Sequence, residues 1–206
     1  MTMADTLISL TDVALGFADP VHDTQRAFRA LLDALARPGT TGRVALARAD
    51  ASRPVRAAPA AFAALLALCD DSTPVFLGTP DAALASALRF HTGAPVVDDP
   101  SAAQFAYVDD PATLLPLRRF SSGAALAPEQ AVTLFVRVAS LTGGTPLALR
   151  GPGIRHTCTI APAGLPAAFW RERAEFAPHF PCGIDCYLVC GDACIGLPRT
   201  THVEAH

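Results

Sequence analysis

Phe180-Pro-Cys-Gly-Ile-Asp-Cys-Tyr-Leu-Val-Cys-Gly-Asp-Ala-Cys-Ile-Gly-Leu-Pro-Arg-Thr-Thr-His202 is the stretch whose reading decides the fold. It holds four of the six cysteines, at 182, 186, 190 and 194, an apolar run broken at Gly191-Asp192, and a polar end, Arg199-Thr200-Thr201-His202. Two readings compete, a metal ribbon and a buried hairpin. A tetrahedral zinc or iron–sulfur site needs thiolates a few ångströms apart, usually on short Cys knuckles. A spacing of four aligns sulfurs only on a helix, and Gly183, Gly191, Gly196 and the run Tyr187-Leu188-Val189 oppose a helix. On a strand, Cys186 and Cys190 share a face but stand ~13 Å apart. Only Cys190 and Cys194 then approach each other, across the turn. The cysteines therefore read as core packing, since reduced cysteine is among the most buried residue types. The stretch reads as a hairpin with strands Ile184–Cys190 and Cys194–Leu197.

Working back from it, Leu165-Pro166 opens a helix containing Phe169 and Trp170. Val132, Leu134, Val136 and Val138 alternate with Thr133, Phe135 and Arg137 as a strand does. Gly143-Gly144 predicts a hairpin joining that strand to Thr145–Arg150. Gly151-Pro152-Gly153 closes the second strand, and Thr157–Ile160 adds another. Residues 111–130 read as irregular. The first half alternates helices with short strands. Asp19-Pro20 starts a helix with Phe28, Leu31, Leu32 and Leu35 at helical spacing, stopped by Pro38-Gly39. A second helix follows Pro59, with Phe62, Leu65, Leu66 and Cys69 on one face, and Thr79-Pro80-Asp81 caps a third that ends near His91–Pro95. Strands are expected at Arg43–Leu46, Val75–Leu77, Val96-Val97 and Phe105–Val108. Helices followed by hairpins imply an α/β fold with a mixed sheet and flanking helices, in one domain spanning 1–206, with a leader at 1–19.

Composition bounds the function. The chain has 206 residues, 51% hydrophobic and 17% charged, enough to bury a large core without staples. The longest apolar runs fall short of the ~18–20 residues that span a bilayer. Met1–Asp23 carries no lysine or arginine, so it lacks the charged start of a signal peptide, and the cytoplasm is the expected compartment. A net charge of −3 gives no basic footprint for nucleic acid. All sixteen basic residues are arginine. A chain without lysine has no Schiff-base lysine, no Walker-type phosphate lysine and no lysine base.

The usual catalytic patterns are missing as well. No G-x-G-x-x-G, G-x-S-x-G or H-E-x-x-H segment occurs. The carboxylate pairs at 70–71, 98–99 and 109–110 sit beside proline or turn residues and read as turn punctuation. The histidines are scattered, and no metal site is expected from them. The polar end of the opening stretch is different in kind. Arg199, Thr200 and Thr201 beside an imidazole could hold an oxyanion, or could form a solvated strand end.

Several segments taken together resemble the PhnH family, a subunit of the bacterial carbon–phosphorus lyase system. They are Phe28-Arg-Ala-Leu-Leu-Asp-Ala-Leu-Ala-Arg-Pro-Gly39, Asp71-Ser-Thr-Pro-Val-Phe-Leu77, Leu88-Arg-Phe-His-Thr-Gly-Ala-Pro95, Ser122-Gly123, Pro128-Glu129, Leu149-Arg-Gly-Pro-Gly-Ile154, Phe180-Pro-Cys-Gly-Ile-Asp185 and Leu197-Pro-Arg-Thr-Thr-His202. They keep the family's order from about residue 20 to the end. The resemblance implies a three-layer α/β fold similar to the pyridoxal-phosphate-dependent transferases, without the cofactor, and a homodimer when isolated. It also implies assembly with PhnG, PhnI and PhnJ. With PhnG, PhnI and PhnL, such proteins support the ATP-dependent formation of a ribose 1-phosphonate 5-triphosphate, whose C–P bond the radical subunit PhnJ then cleaves. The family offers no catalytic residue to carry over. Two expectations follow. One is a non-catalytic subunit. The other is a subunit that binds phosphonate or ATP through Arg199, Thr200, Thr201, Arg89, His91 and Asp185.

Overall fold

The computed structural model describes residues 13–44 and 55–205. The first twelve residues of the expected leader, Ala45 and Leu46 of the expected first strand, and His206 lie outside the described residues. Among the described residues four α-helices form, two of them behind aspartate caps. In α1 (Pro20–Ala36) the Asp19 carboxylate accepts from the His22 N–H at 3.1 Å, and Pro20 takes the first turn. In α3 (Ala82–Thr92) the Asp81 carboxylate accepts from the Leu84 N–H, and Gly93 ends the helix at φ 77°, a left-handed conformation that glycine adopts without steric cost. Helix α2 (Pro59–Leu68) is buried all round from Ala60 to Leu65, which is why its apolar residues do not keep to one face. Helix α4 (Ala167–Phe176) follows much later.

The main sheet is built from β1 (Thr41–Arg43), β2 (Val75–Leu77), β3 (Val96–Val97), β4 (Phe105–Val108), β7 (Thr133–Arg137), β10 (Asp185–Cys190) and β11 (Ala193–Leu197). Their order is β1-β11-β10-β7-β4-β2-β3. From β3 to β10 every neighbouring pair is parallel, while β11 is antiparallel to β10 and to β1. Residue alternation splits the core into two layers. Val75, Tyr107, Phe135, Tyr187, Val189 and Cys194 pack under α1, α2 and α3. Ala106, Val108, Leu134, Val136, Cys186 and Leu188 pack on the other face. Helix α1 lies directly on β11 because Gly196 has no side chain. A Cβ there would stand 2.5 Å from the Ala34 carbonyl oxygen. The Tyr187 hydroxyl completes the docking, donating to the Leu31 carbonyl at 3.0 Å beneath α1.

The back layer departs from the expectation of flanking helices alone. Beside α4 it holds an antiparallel sheet, β12 (His202–Ala205), β8 (Leu147–Arg150) and β9 (Cys158–Ile160), in that order. The predicted hairpin between 132–138 and 145–150 does not form. Strand β7 lies between β4 and β10, with Thr133 opposite both Phe105 and Asp185, while β8 pairs with β12 and β9. The physical reason is burial. Leu134, Phe135 and Val136 are all enclosed, as befits a central parallel strand covered on both faces. Gly144 serves close approach instead of a tight turn, since a Cβ there would meet the Pro162 carbonyl oxygen at 2.1 Å. Residues 111–130 also hold more order than expected. Two 3₁₀ turns precede a small hairpin, β5 (Ser122–Ala124) and β6 (Ala127–Ala131).

The opening hairpin does form, with one correction. Cys190 lies opposite Ala193 and Cys194 opposite Val189, so the two sulfurs take opposite faces of the sheet and do not approach each other. Burial pushes the Cys186 and Cys194 thiols up to about 11, which keeps both uncharged as packing groups.

Candidate functional site

The residues named from the sequence fall into two separate places. Asp185 opens β10, and Arg199 follows β11 across the hairpin. The Arg199 backbone N–H donates to Asp185 Oδ1 at 2.7 Å, and Nη2 donates to Oδ2 at 2.7 Å. Nε adds longer bonds to both oxygens, and Nη1 donates to the carbonyls of Pro128 at 2.8 Å and Pro181 at 3.2 Å. Gly183 makes room, because a Cβ there would lie 2.9 Å from Arg199 Cβ. This is a charge-assisted, bidentate pair with little solvent around it. The guanidinium that could hold an external anion is thus engaged by Asp185 and two carbonyls. Thr200 is half-buried beside it. Thr201 is buried, and its hydroxyl has no partner among the described residues. Replacing Asp185 by alanine is expected to lower stability by about 1.5–3 kcal/mol, the worth of hydrogen bonds to a charged group. Chemical denaturation measures it, and a change under 0.5 kcal/mol would show that the pair is not a clamp.

Arg89 and His91 stand elsewhere, on the last turn of α3. His91 Nε2 is hydrogen-bonded to the Ala14 carbonyl at 2.8 Å, and its ring meets Phe90 edge-on. Arg89 is exposed and has no polar partner among the described residues. No hydrogen bond or ion pair among the described residues joins either of them to the 185–201 turn.

Beneath that turn lies a residue that the sequence reading missed. Arg173, on the inner face of α4, is only 6% exposed. Nη1 donates to the Ile184 carbonyl at 3.0 Å and to Cys186 Sγ at 3.4 Å. Nη2 donates to the Leu197 carbonyl at 2.9 Å and to that of Pro198. A buried cation held by carbonyls, with no carboxylate among its described partners, ties α4 to the start of β10 and the end of β11. The available signal was its position four residues after Phe169, on the apolar face of the helix.

A second polar cluster sits at the opposite, carboxyl end of the parallel strands. The Tyr107 hydroxyl, at the end of β4, donates to Asp109 Oδ1 at 2.7 Å and accepts from the Ala58 N–H at 3.0 Å. Arg137, the last residue of β7, donates through Nη1 to Asp109 at 3.0 Å and to the Arg56 carbonyl at 3.2 Å. Burial, helped by the neighbouring carboxylate, holds the Tyr107 phenol far above its ordinary range, so it stays protonated. Tyr107 and Asp109 share a recess with Arg56, Pro80 and Asp81. Pro80 and Asp81 also line a larger hollow of about 430 Å³ between the ends of β2 and β3, walled by Phe76, Leu77, Ala85 and Val97 and rimmed by Asp98. Among the described residues, no group of three His, Cys, Asp or Glu is placed to hold a metal ion.

Neither cluster presents a nucleophile beside a base, so comparison with known proteins decides the assignment. Residues 15–204 match the family described as bacterial phosphonate metabolism protein (PhnH). The chain belongs to the PhnH family. It is 42% identical, over 191 residues, to the alpha-D-ribose 1-methylphosphonate 5-triphosphate synthase subunit PhnH of Rhizobium meliloti strain 1021, covering 91% of this chain and 94% of that relative. A second relative, HtxG of Stutzerimonas stutzeri, is named as a candidate C–P lyase subunit protein. It is 42% identical over 77 residues, 37% of this chain and 40% of its own. Both relatives are named as subunits, one of a ribose 1-methylphosphonate 5-triphosphate synthase and the other of a C–P lyase.

Proposed function

We propose that this chain is a non-catalytic subunit of a carbon–phosphorus lyase assembly required for organophosphonate catabolism. It acts in the cytoplasm, as one PhnH-like domain, in the ATP-dependent formation of a ribose 1-phosphonate 5-triphosphate together with PhnG, PhnI and PhnL. PhnJ joins the same complex, and the isolated chain is a homodimer. The observation that carries this reading is the 42% identity with a synthase subunit in a match that covers 91% of this chain and 94% of the other. No helix among the described residues is long and apolar enough to cross a membrane. A largely parallel main sheet, of seven strands with one antiparallel among the described residues, supports a likeness to the pyridoxal-phosphate-dependent transferases. The cofactor itself does not fit, because its Schiff base requires a lysine and the chain has none.

Co-expression with tagged PhnG, PhnI and PhnJ from the same source tests the proposal. The expected result is a co-purifying complex, with loss of growth on methylphosphonate as sole phosphorus source when the gene is deleted. Normal growth of the deletion strain on methylphosphonate, with no complex recovered, would sink it. The second reading, a subunit that binds ligand itself, is favoured by the crevice at the carboxyl ends of the strands.

A further inference from the structure

We propose that the β5–β6 hairpin is a docking arm whose tip seats in the Trp170 hollow of a second copy of this chain. This rests on the homodimer proposed above and places the contact between the two copies. It also gives the Asp185–Arg199 pair a task. A two-stranded hairpin is marginal by itself in water. This one is fastened along both strands. The Gly183 N–H donates to the Ser122 carbonyl at 2.9 Å, and the Ser121 hydroxyl to the Gln130 carbonyl at 2.8 Å. Arg199, aimed by Asp185, donates to the Pro128 carbonyl at 2.8 Å. The tip held in this way is apolar. Ala124, Ala125 and Leu126 are exposed in succession, and Leu126 is fully exposed. An exposed apolar run on a rigid turn marks a contact surface, and fixing it beforehand lowers the cost of docking.

The same chain carries the complement. Leu147, Pro162, Leu165 and Trp170 wall a hollow of about 420 Å³ at the start of α4, with room for a leucine side chain and the turn that bears it. The charges match as well. Glu129 is the only charged residue in 121–131, and it is exposed and has no partner among the described residues. Among the described residues on the hollow's wall, the one charged side chain is Arg171, likewise exposed and unpartnered. Arg118 and Arg119, which precede the arm, have acids of their own. Arg118 shares a separate recess with Glu172 and Glu175, and Arg119 lies within reach of the Asp99 charge. Phe120 and Val132, which flank the arm, belong to the same core layer as Leu147, Leu165 and Trp170, so arm and hollow issue from one side of the main sheet. Two copies related by a twofold axis then exchange arms, and every contact is made twice.

Sedimentation equilibrium of the intact chain tests this, read together with the emission of Trp170, the sole tryptophan. The expected result is a dimer whose indole emission moves to the red in step with dissociation on dilution. Leu126→Asp, at a fully exposed position, should shift both curves to concentrations about tenfold higher or more. Arg171→Glu should weaken the dimer severalfold, and Glu129→Arg added to it should restore the parent's affinity. Matching circular dichroism spectra keep the comparison fair. A dimer indifferent to Leu126→Asp, or one whose dissociation leaves the indole emission unchanged, overturns the arm contact and leaves the homodimer standing. A chain that stays monomeric at every concentration overturns both. A Leu126→Asp variant that dimerises like the parent but no longer co-purifies with PhnG, PhnI and PhnJ gives the arm to a partner subunit and overturns its place between copies.

Discussion

Replacing Arg173 by methionine is expected to give a folded but clearly weakened protein. Methionine fills much of the arginine's volume, so the cavity left behind is small. What disappears is the donor set that satisfies the carbonyls of Ile184, Leu197 and Pro198. A buried carbonyl left without a partner costs about 1–3 kcal/mol. Removing the guanidinium relieves its own desolvation, which offsets part of that loss. The balance is a loss of about 2–4 kcal/mol, or a drop in Tm of about 5–15 °C for a chain of this length. Arg173 Nε, which has no partner among the described residues, is removed as well, and that relief offsets a further part of the loss. Arg173→Lys should fall in between, since an ammonium cannot span carbonyls from two strands as a planar fork does. Thermal melting of the three proteins settles the order. A methionine variant as stable as the parent would mean that the carbonyls find water or other donors, and that Arg173 is no keystone.

The second large effect is expected at Gly196, where a single methyl group pushes one layer off another. An alanine Cβ at this position meets the Ala34 carbonyl oxygen at 2.5 Å, the Ala34 carbonyl carbon at 2.6 Å and the Leu35 nitrogen at 2.8 Å. All three are backbone atoms of α1, which cannot rotate aside as a flexible side chain would. The helix has to shift, and the Tyr187–Leu31 hydrogen bond and the burial of Ala34 go with it. Overpacking of this kind costs about 1–3 kcal/mol and occasionally more, and a rigid neighbour puts Gly196→Ala at the upper end. Gly191→Ala is the internal control. Its φ of 58° carries a left-handed strain, yet nothing lies within 4 Å of the new methyl group. That strain alone is worth about 1–2 kcal/mol. Urea denaturation should therefore rank Gly196→Ala as the more damaging of the two. The reverse order would mean that α1 does not ride directly on β11.

Sequence legibility followed the range of the interactions. Asp19, Asp81 and Gly93 mark the helix ends through contacts within a few residues, and those ends fall where the sequence puts them. Strand β7 was legible as a strand, but its partners were not. Gly143-Gly144 is a local hairpin signal, whereas β7 is claimed by β4 and β10 because all its central residues are buried. Arg173 was invisible because a helical arginine is normally assigned to solvent. Asp109 and Arg137 meet only through the parallel pairing of β4 with β7, which no short window contains. Asp185 and Arg199 were both named, being close across one hairpin. What the sequence withheld was their mutual engagement, which depends on register. Cys186 lies opposite Leu197, so Asp185 comes level with the residues just past the strand.

The pairing of β1 with β11 also has a consequence in time. Thr41 lies opposite Ile195, and β12, at 202–205, completes the back sheet against β8. As the chain emerges from the ribosome, β1 is exposed long before β11, its sheet neighbour among the described residues. Such long-range pairing makes folding slow, and it leaves bare strand edges open to wrong partners meanwhile. Helix α1 likewise has no floor until Gly196 arrives. Emergence of β11, rather than formation of the early helices, is therefore the step on which completion of the main sheet waits.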